Sequence, residues 1–277
     1  MTGISYATLA QLRAENKSGV TTDDSVLLDY GRQMTAAIDA YLKANYREAI
    51  FAPRRVTRYY DAAGGKRLEL DAWFVALTTV VDGETTTLVD GTDYYTVPRG
   101  QTPIQAIYRF DGTYWSAYSG DTPIGQIAIT GDLCYREYYD EAWVTATTIT
   151  EPLADTTATT LTTASNTVLS PGMLIRIDSE WMVVQSGATT SWVVTRGARG
   201  STAATHLNNA VITYFQPEPN IVRACQRWAS LAFSRRGAFE QTRFDGTASV
   251  QFPKSMPDEV RDMVIEGAWT SVRPVTV

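Results

Sequence analysis

"TTDDSVLLDYGRQMTAAIDAYLKANYR", Thr21 to Arg47, decides how the rest of the chain is read. It opens with hydroxyl and acidic residues suited to a helix N-terminus. It then repeats apolar side chains at Val26, Leu27, Tyr30, Met34, Ala37, Ile38, Tyr41 and Leu42, the spacing of one helix face. About 25 residues rising about 1.5 Å each make a rod of roughly 37 Å. Before it, Ser5 reads as an N-cap, and Tyr6 to Asn16 places Leu9, Leu12 and nearby alanines on the face of a shorter helix that ends near Gly19.

From Pro53 the pattern changes to β-rich runs: "RVTRYYDA", "KRLELDAWFVALTTVV", "TTTLV", "YYTVP", "IQAIYRF", "YWSAY" and "QIAIT". Between them stand Gly64-Gly65, Asp82-Gly83, Asp90-Gly91, Asp111-Gly112 and Ser119-Gly120, pairs typical of tight turns. The expectation is an antiparallel meander.

From Val144 to Phe215 the composition shifts to threonine, serine and valine with few charges. Strands are expected at Thr147 to Ile149, Thr159 to Leu161, Met173 to Ile177, Trp181 to Val184, Trp192 to Thr195 and Val211 to Phe215. Turns fall at Pro171-Gly172, Asp178-Ser179 and Ser186-Gly187. Helical spacing returns after Pro217 and Pro219, where "NIVRACQRWASLAF" sets Ile221, Cys225, Trp228 and Ala232 on one face. A last helix begins at Pro257 and carries Val260, Met263, Val264 and Trp269 before the tail "SVRPVTV".

The fold class is therefore α+β: about four helices and an antiparallel β meander form a core from residues 1–143 and 216–277, and residues 144–215 form an inserted small all-β domain. Helices at both ends of the chain need a partner for their apolar faces, so the two ends are expected to pack together.

The chain has 277 residues, 44% of them hydrophobic, and a net charge of −6. An acidic protein does not attract nucleic acid over its whole surface. Lys17, Lys43, Lys66 and Lys254 are the only lysines, so 20 of the 24 basic residues are arginines, the cation suited to bidentate interface contacts. Cys134 and Cys225 form no CxxC pair, which predicts two reduced thiols and no zinc site. No apolar stretch suits a signal peptide or a membrane span, and the protein is expected to be cytosolic when made.

Chemistry-bearing motifs are few. "TRGARGSTAATHLNNAVITYF", Thr195 to Phe215, holds the single histidine, His206, which cannot build a multi-histidine metal site and has no G-x-S-x-G elbow to serve. "AAGGKR", Ala62 to Arg67, lacks the first glycine and final hydroxyl of a phosphate loop and reads as a hairpin turn. Glu137, Asp140 and Glu141 in "REYYDE" are either a solvated strand end or paired carboxylates able to hold a hard cation. Arg223 and Arg227 stand one helical turn apart, with Arg235, Arg236 and Arg243 following, a basic face that is either solvated or an interface. Tyr94-Tyr95, Tyr114-Trp115 and Tyr138-Tyr139 read as packing residues or as a stacking platform. No cofactor, metal or catalytic residue is expected.

The helix "YATLAQL", the long helix leading into "RRVTRYYDAAGGKRLEL", the strand pairs of "VVDGETTTLVDGTDYYTVP", and the closing "PNIVRACQRWASLAFSRRG" and "MPDEVRDMVIEGAW" resemble, in that order, the head-to-tail connector or adaptor proteins of tailed bacteriophages. The resemblance covers about 200 residues and departs at the inserted stretch. That stretch, "SPGMLIRIDSEWMVVQSG" followed by "WVVTRGARGSTAATHLNNAVI", is itself similar to a small β module recurrent in phage structural proteins. It shares the proline-glycine, the acid before "WMVV", the arginine-glycine turn and the late histidine.

The resemblance implies a structural role for Arg196, Gly197 and His206, with the imidazole bonding a loop backbone. It implies a homo-oligomeric ring, commonly of twelve copies, in the virion neck. The partners would be the portal protein and a head-tail stopper or tail terminator, with a capsid vertex or fibre contacted through the insert, and DNA would pass without sequence recognition. Arg223, Arg227, Arg235 and Arg236 are then candidate interface residues, and Arg273, Pro274, Val275, Thr276 and Val277 the first candidate portal-docking segment. A receptor- or carbohydrate-binding tail protein is the alternative, and a hydrolase using Glu137, Asp140 or His206 a third.

Overall fold

The computed structural model describes residues 3–17, 21–45, 50–62, 64–83, 86–115, 122–135, 138–165, 168–235 and 256–269, the side chains of 267–269 excepted. Among the described residues it is α+β, with four α-helices and two six-stranded antiparallel sheets. The chain divides into two compact units. One gathers the described residues of Met1–Ala40, Ala142–Ala198 and Thr202–Val277, the other those of Tyr41–Glu141 and Arg199–Ser201.

The first unit contains helices from both ends of the chain: α1 (Leu9–Asn16), most of α2 (Asp24–Asn45), α3 (Pro219–Ser234) and α4 (Asp258–Trp269). Helix α1 starts later than Ser5 suggests. Thr8 is the N-cap, because its hydroxyl takes the Gln11 N–H while the Gln11 side chain takes the Thr8 N–H, a reciprocal capping box. The Ser5 hydroxyl instead donates to the Ala7 carbonyl at 2.6 Å. The helix ends at Lys17 in the left-handed conformation, φ 50°.

Along α2 the buried stripe is Leu27, Leu28, Gly31, Thr35, Ile38 and Leu42, whereas Val26 lies 40% exposed. Gly31 leaves room for the N-terminal segment, since a Cβ there would sit 2.7 Å from Ser5 Oγ and 2.9 Å from Leu12 Cδ1. The two chain ends do pack together. Thr35 Oγ1 meets Cys225 Sγ at 3.5 Å, Tyr30 and Phe233 stack edge to face at 6.2 Å, and Ser230 on α3 donates to Asn16 on α1 at 3.0 Å. Helix α3 buries Ile221, Ala224, Cys225 and Ala229, and α4 buries Val260 and Val264.

The same unit holds β7 (Trp143–Thr148), β8 (Thr160–Thr162), β9 (Leu174–Ile177), β10 (Glu180–Ala188), β11 (Ser191–Thr195) and β12 (Val211–Phe215), in the order β7-β12-β9-β10-β11-β8. The first and last strands of that order then meet: Ile149 bridges Thr163, Thr150 donates to the Thr162 carbonyl at 3.0 Å, and Ala164 to the Thr148 carbonyl at 2.9 Å. The sheet closes into a small barrel filled by Ile149, Leu153, Leu161, Ile175, Ile177, Met182, Val184, Trp192, Val194 and Ile212. The Ser186-Gly187 turn expected from the sequence is a β-bulge inside β10. The chain reverses at Thr189, φ 60°, beyond the last pair Ala188–Ser191, and Gly187, φ 146°, lies opposite Trp192, where a Cβ would run into the partner strand. Gly172, φ 90°, sits against Ser5 and Leu28, and its carbonyl accepts from Ser5 N at 2.8 Å.

The second unit is built on β1 (Arg54–Tyr60), β2 (Arg67–Asp82), β3 (Thr86–Leu88), β4 (Tyr94–Val97), β5 (Ile104–Arg109) and β6 (Ile127–Leu133). The strand order is β1-β6-β2-β5-β4, with β3 on β2. Because β6 lies between β1 and β2, "AAGGKR" is not a hairpin turn. Its backbone is tied to Trp115 instead, through Gly64 N to the Trp115 carbonyl at 2.6 Å, Trp115 N to the Gly65 carbonyl at 2.8 Å and Trp115 Nε1 to the Lys66 carbonyl at 2.9 Å. Tyr114 and Trp115 of the expected strand "YWSAY" are not in a strand; the rest of that run and Ser119-Gly120 lie outside the described residues. The core is Leu68, Phe74, Val80, Ile104, Ile107, Trp115, Ile127 and Ile129.

Candidate functional site

The stretch around His206 is a buried polar network inside the barrel unit. Glu180, at the start of β10, is 0% exposed and takes the Arg196 fork, Nε to Oε1 at 2.7 Å and Nη2 to Oε2 at 2.8 Å. It also accepts Gly197 N at 2.9 Å, Ala204 N at 2.9 Å and His206 Nε2 at 2.9 Å. Arg196 spends its remaining donors on the Asp155, Ala158 and Ala204 carbonyls, and His206 Nδ1 lies 2.8 Å from Asp178 Oδ2. The imidazole therefore meets two carboxylates rather than a loop backbone. It is the His206 backbone that pairs with a loop, exchanging both hydrogen bonds with Leu153 at 3.0 Å.

Burial pushes the Glu180 carboxyl up, but the Arg196 fork, the Ala204 N–H, His206 and the Gly197 N–H outweigh it and bring it down to about 2. Both Glu180 carboxylate oxygens are occupied, and the imidazole is 1% exposed. Chemically the arrangement fastens strands β10, β11 and the chain before β12.

The second arginine of the same stretch has a different task. Arg199, φ 52°, donates from Nε to the Pro53 carbonyl at 2.6 Å and from Nη2 to the Ala52 carbonyl at 2.9 Å, within the second unit. A Cβ on Gly200 would run into the Arg55 carbonyl, so only glycine lets the chain lie this close to the start of β1.

On α3 the two arginines one turn apart differ. Arg223 is exposed. Arg227 reaches Glu15 on α1 at 2.9 Å and Glu259 on α4 at 3.6 Å, so it ties three helices together. Arg235 is the half-buried C-cap of α3. Arg236, Arg243 and the segment Arg273, Pro274, Val275, Thr276 and Val277 lie outside the described residues, as does Glu137.

Asp140 and Glu141 border an open cleft of about 560 Å³ with Val75, Gly100, Gln101, Thr102, Tyr138 and Tyr139. Among the described residues no group of three His, Cys, Asp or Glu side chains could hold a metal ion. The aromatic pairs alternate: Tyr114 is 55% exposed and Trp115 buried, Tyr138 62% exposed and Tyr139 buried. Tyr94 is buried beside Asp90 and Asp93; burial first, and then those acids, push its phenol up to about 12. Neither cysteine is in a disulfide and both are buried, and burial raises the Cys225 thiol. Among the described residues no helix is long and apolar enough to cross a membrane.

What sequence reasoning missed is Glu180 as the hub. Its signal was an acid placed between the turn at Asp178 and the apolar run Trp181 to Val184.

No protein-family model matches the chain, and no curated protein does. Among solved structures it is similar to a chain from the neck of an empty GTA particle computed with C6 symmetry. The identity is 14% and the TM-score 0.37, over 97% of this chain and 91% of that one.

Proposed function

We propose that this chain is a virion structural protein, a head-to-tail adaptor of the neck that docks as a ring under the portal, extends the DNA channel and offers a docking surface to the next tail component, a stopper or terminator. What supports the reading is that α1, most of α2, α3 and α4, helices from both ends of the chain, fall in one compact unit together with the barrel strands, as the order of parts in the adaptor resemblance leads one to expect of the helices. A ring of about twelve copies needs heterologous contacts, which suit a protein of net charge −6 whose basic residues are mostly arginine. The same charge suits a channel that lets DNA slide past without holding it.

Arg273 to Val277 is the proposed portal-docking segment, with Arg223, Arg235 and Arg236 as further interface residues. Residues 144–215 form the proposed insert, which contacts a capsid vertex or fibre. In support, the first and last strands of the barrel pair with Trp143 opposite Phe215, so the module leaves its host at two neighbouring positions.

The test is to mix purified protein, with and without residues 273–277, with portal, and to measure mass by light scattering. The reading requires a ring on the portal for the full chain and loss of binding for the shortened one. Trimers, or binding to glycans without portal binding, would support the tail-binding reading instead.

A further inference from the structure

His206 is the single histidine of the chain, and both of its ring nitrogens face carboxylate oxygens. Nδ1 lies 2.8 Å from Asp178 Oδ2, in the turn between β9 and β10, and Nε2 lies 2.9 Å from Glu180 Oε2 on β10. An ionised carboxylate can only accept, and so can a ring nitrogen without hydrogen. A neutral imidazole would therefore set lone pair against lone pair at one of the two contacts. With the imidazole side chain 1% exposed, bulk solvent does not relieve that clash.

The charged groups around the ring come from several parts of the chain. Asp178 and Glu180 face it directly. Arg196, just after β11, reaches Glu180 with its fork. Asp155, between β7 and β8, turns its carboxylate to the Thr157 and Ala158 N–H groups and its carbonyl to Arg196. All of these lie at one end of the barrel, where the His206 and Leu153 backbones exchange hydrogen bonds at 3.0 Å.

We infer that His206 is held as the imidazolium, donating from both ring nitrogens, and that its Nδ1 proton is a switch on this clasp between the chain after β7 and the chain before β12. The two carboxylates are not equivalent. Glu180 is 0% exposed and fixed by Arg196, Gly197 N and Ala204 N, so it keeps the Nε2 hydrogen. The Asp178 side chain is 69% exposed and turns to water when its donor is gone. Proton loss thus falls on Nδ1, releases Asp178 and loosens the backbone pair of His206 with Leu153. The inference is independent of the ring reading.

Nitrogen NMR of the imidazole tests it, because one histidine gives one pair of ring signals. At pH 6 the natural chain should show two ring N–H groups protected from water. Asp178→Gly should keep Nε2–H and lose the Nδ1–H signal; glycine suits the left-handed backbone of this position, φ 51°, so the variant folds. Amide exchange at Leu153 and His206 should be about threefold faster in that variant, the size of one partly exposed charged contact, with Ile212 unchanged. Raising the pH of the natural chain should remove Nδ1–H before Nε2–H. A single ring N–H at pH 6 would overturn the imidazolium. Loss of Nε2–H first, or unchanged exchange in Asp178→Gly, would overturn the switch.

Discussion

Glu180 and His206 are bonded at 2.9 Å although the barrel buries both, to 0% and 3% exposure. A buried carboxylate is tolerated only when its oxygens are filled, and here the Arg196 fork and two backbone N–H groups fill them. The contact explains why one stretch of sequence contains a histidine, an arginine-glycine pair and little else that is reactive.

Glu180→Gln removes the charge that holds Arg196 while leaving the guanidinium buried. The variant is expected to lose about 3–5 kcal/mol of unfolding free energy in a denaturant titration, and Arg196→Met combined with it to cost less than the sum of the two single changes. A strictly additive pair would show that the two side chains are not coupled.

The same carboxyl predicts an acid-sensitive stability. Its pKa is lower folded, about 2, than its ordinary 4.5, so its stabilisation is present above pH 4.5 and is lost as pH falls from 4.5 towards 2. The loss attributable to this group is roughly 3 kcal/mol. Unfolding curves across that window should fall more steeply for the natural chain than for Glu180→Gln; parallel slopes would contradict the assignment.

Gly131 is the tightest point between β6 and β2, where a Cβ would lie 2.5 Å from the Ala76 carbonyl and 2.6 Å from Phe74 Cδ1. The backbone oxygen cannot move aside without parting the strands. Gly131→Ala should cost about 1–3 kcal/mol, with faster hydrogen exchange confined to β2 and β6. An unchanged melting curve would show that the strands are less closely paired.

Arg227 and Arg223 separate structure from docking. Arg227→Ala should lower stability by less than about 1 kcal/mol, since its pairs with Glu15 and Glu259 are partly exposed. Arg223→Glu should leave the melting temperature unchanged and weaken portal binding, as read by titration against portal. Equal binding by that variant would remove Arg223 from the interface.

Much of this fold was legible because its signals are local. Helix α2 follows from its apolar spacing, and each barrel strand falls within a few residues of its apolar run. Two details departed from that spacing: Thr35 took a buried position by bonding Cys225, and Val26 stayed exposed. What was not legible is non-local pairing. Nothing within β6 says that it runs between β1 and β2, and nothing near Ile149 says that it will meet Thr163 and close the barrel. The site divided in the same way. Arg196, Gly197 and His206 were readable as a structural turn, but their common partner Glu180 lies on β10, and the antiparallel pairing of β10 with β11, Val183 opposite Thr195, brings it beside Arg196 and Gly197.

The central claim, a ring adaptor under the portal, is tested most directly by the mass and image of the purified chain alone and after mixing with portal. The account predicts a monomer or loose oligomer that becomes a closed ring seated on one face of the portal. A chain that never binds portal, or that assembles as a free trimer, would contradict it.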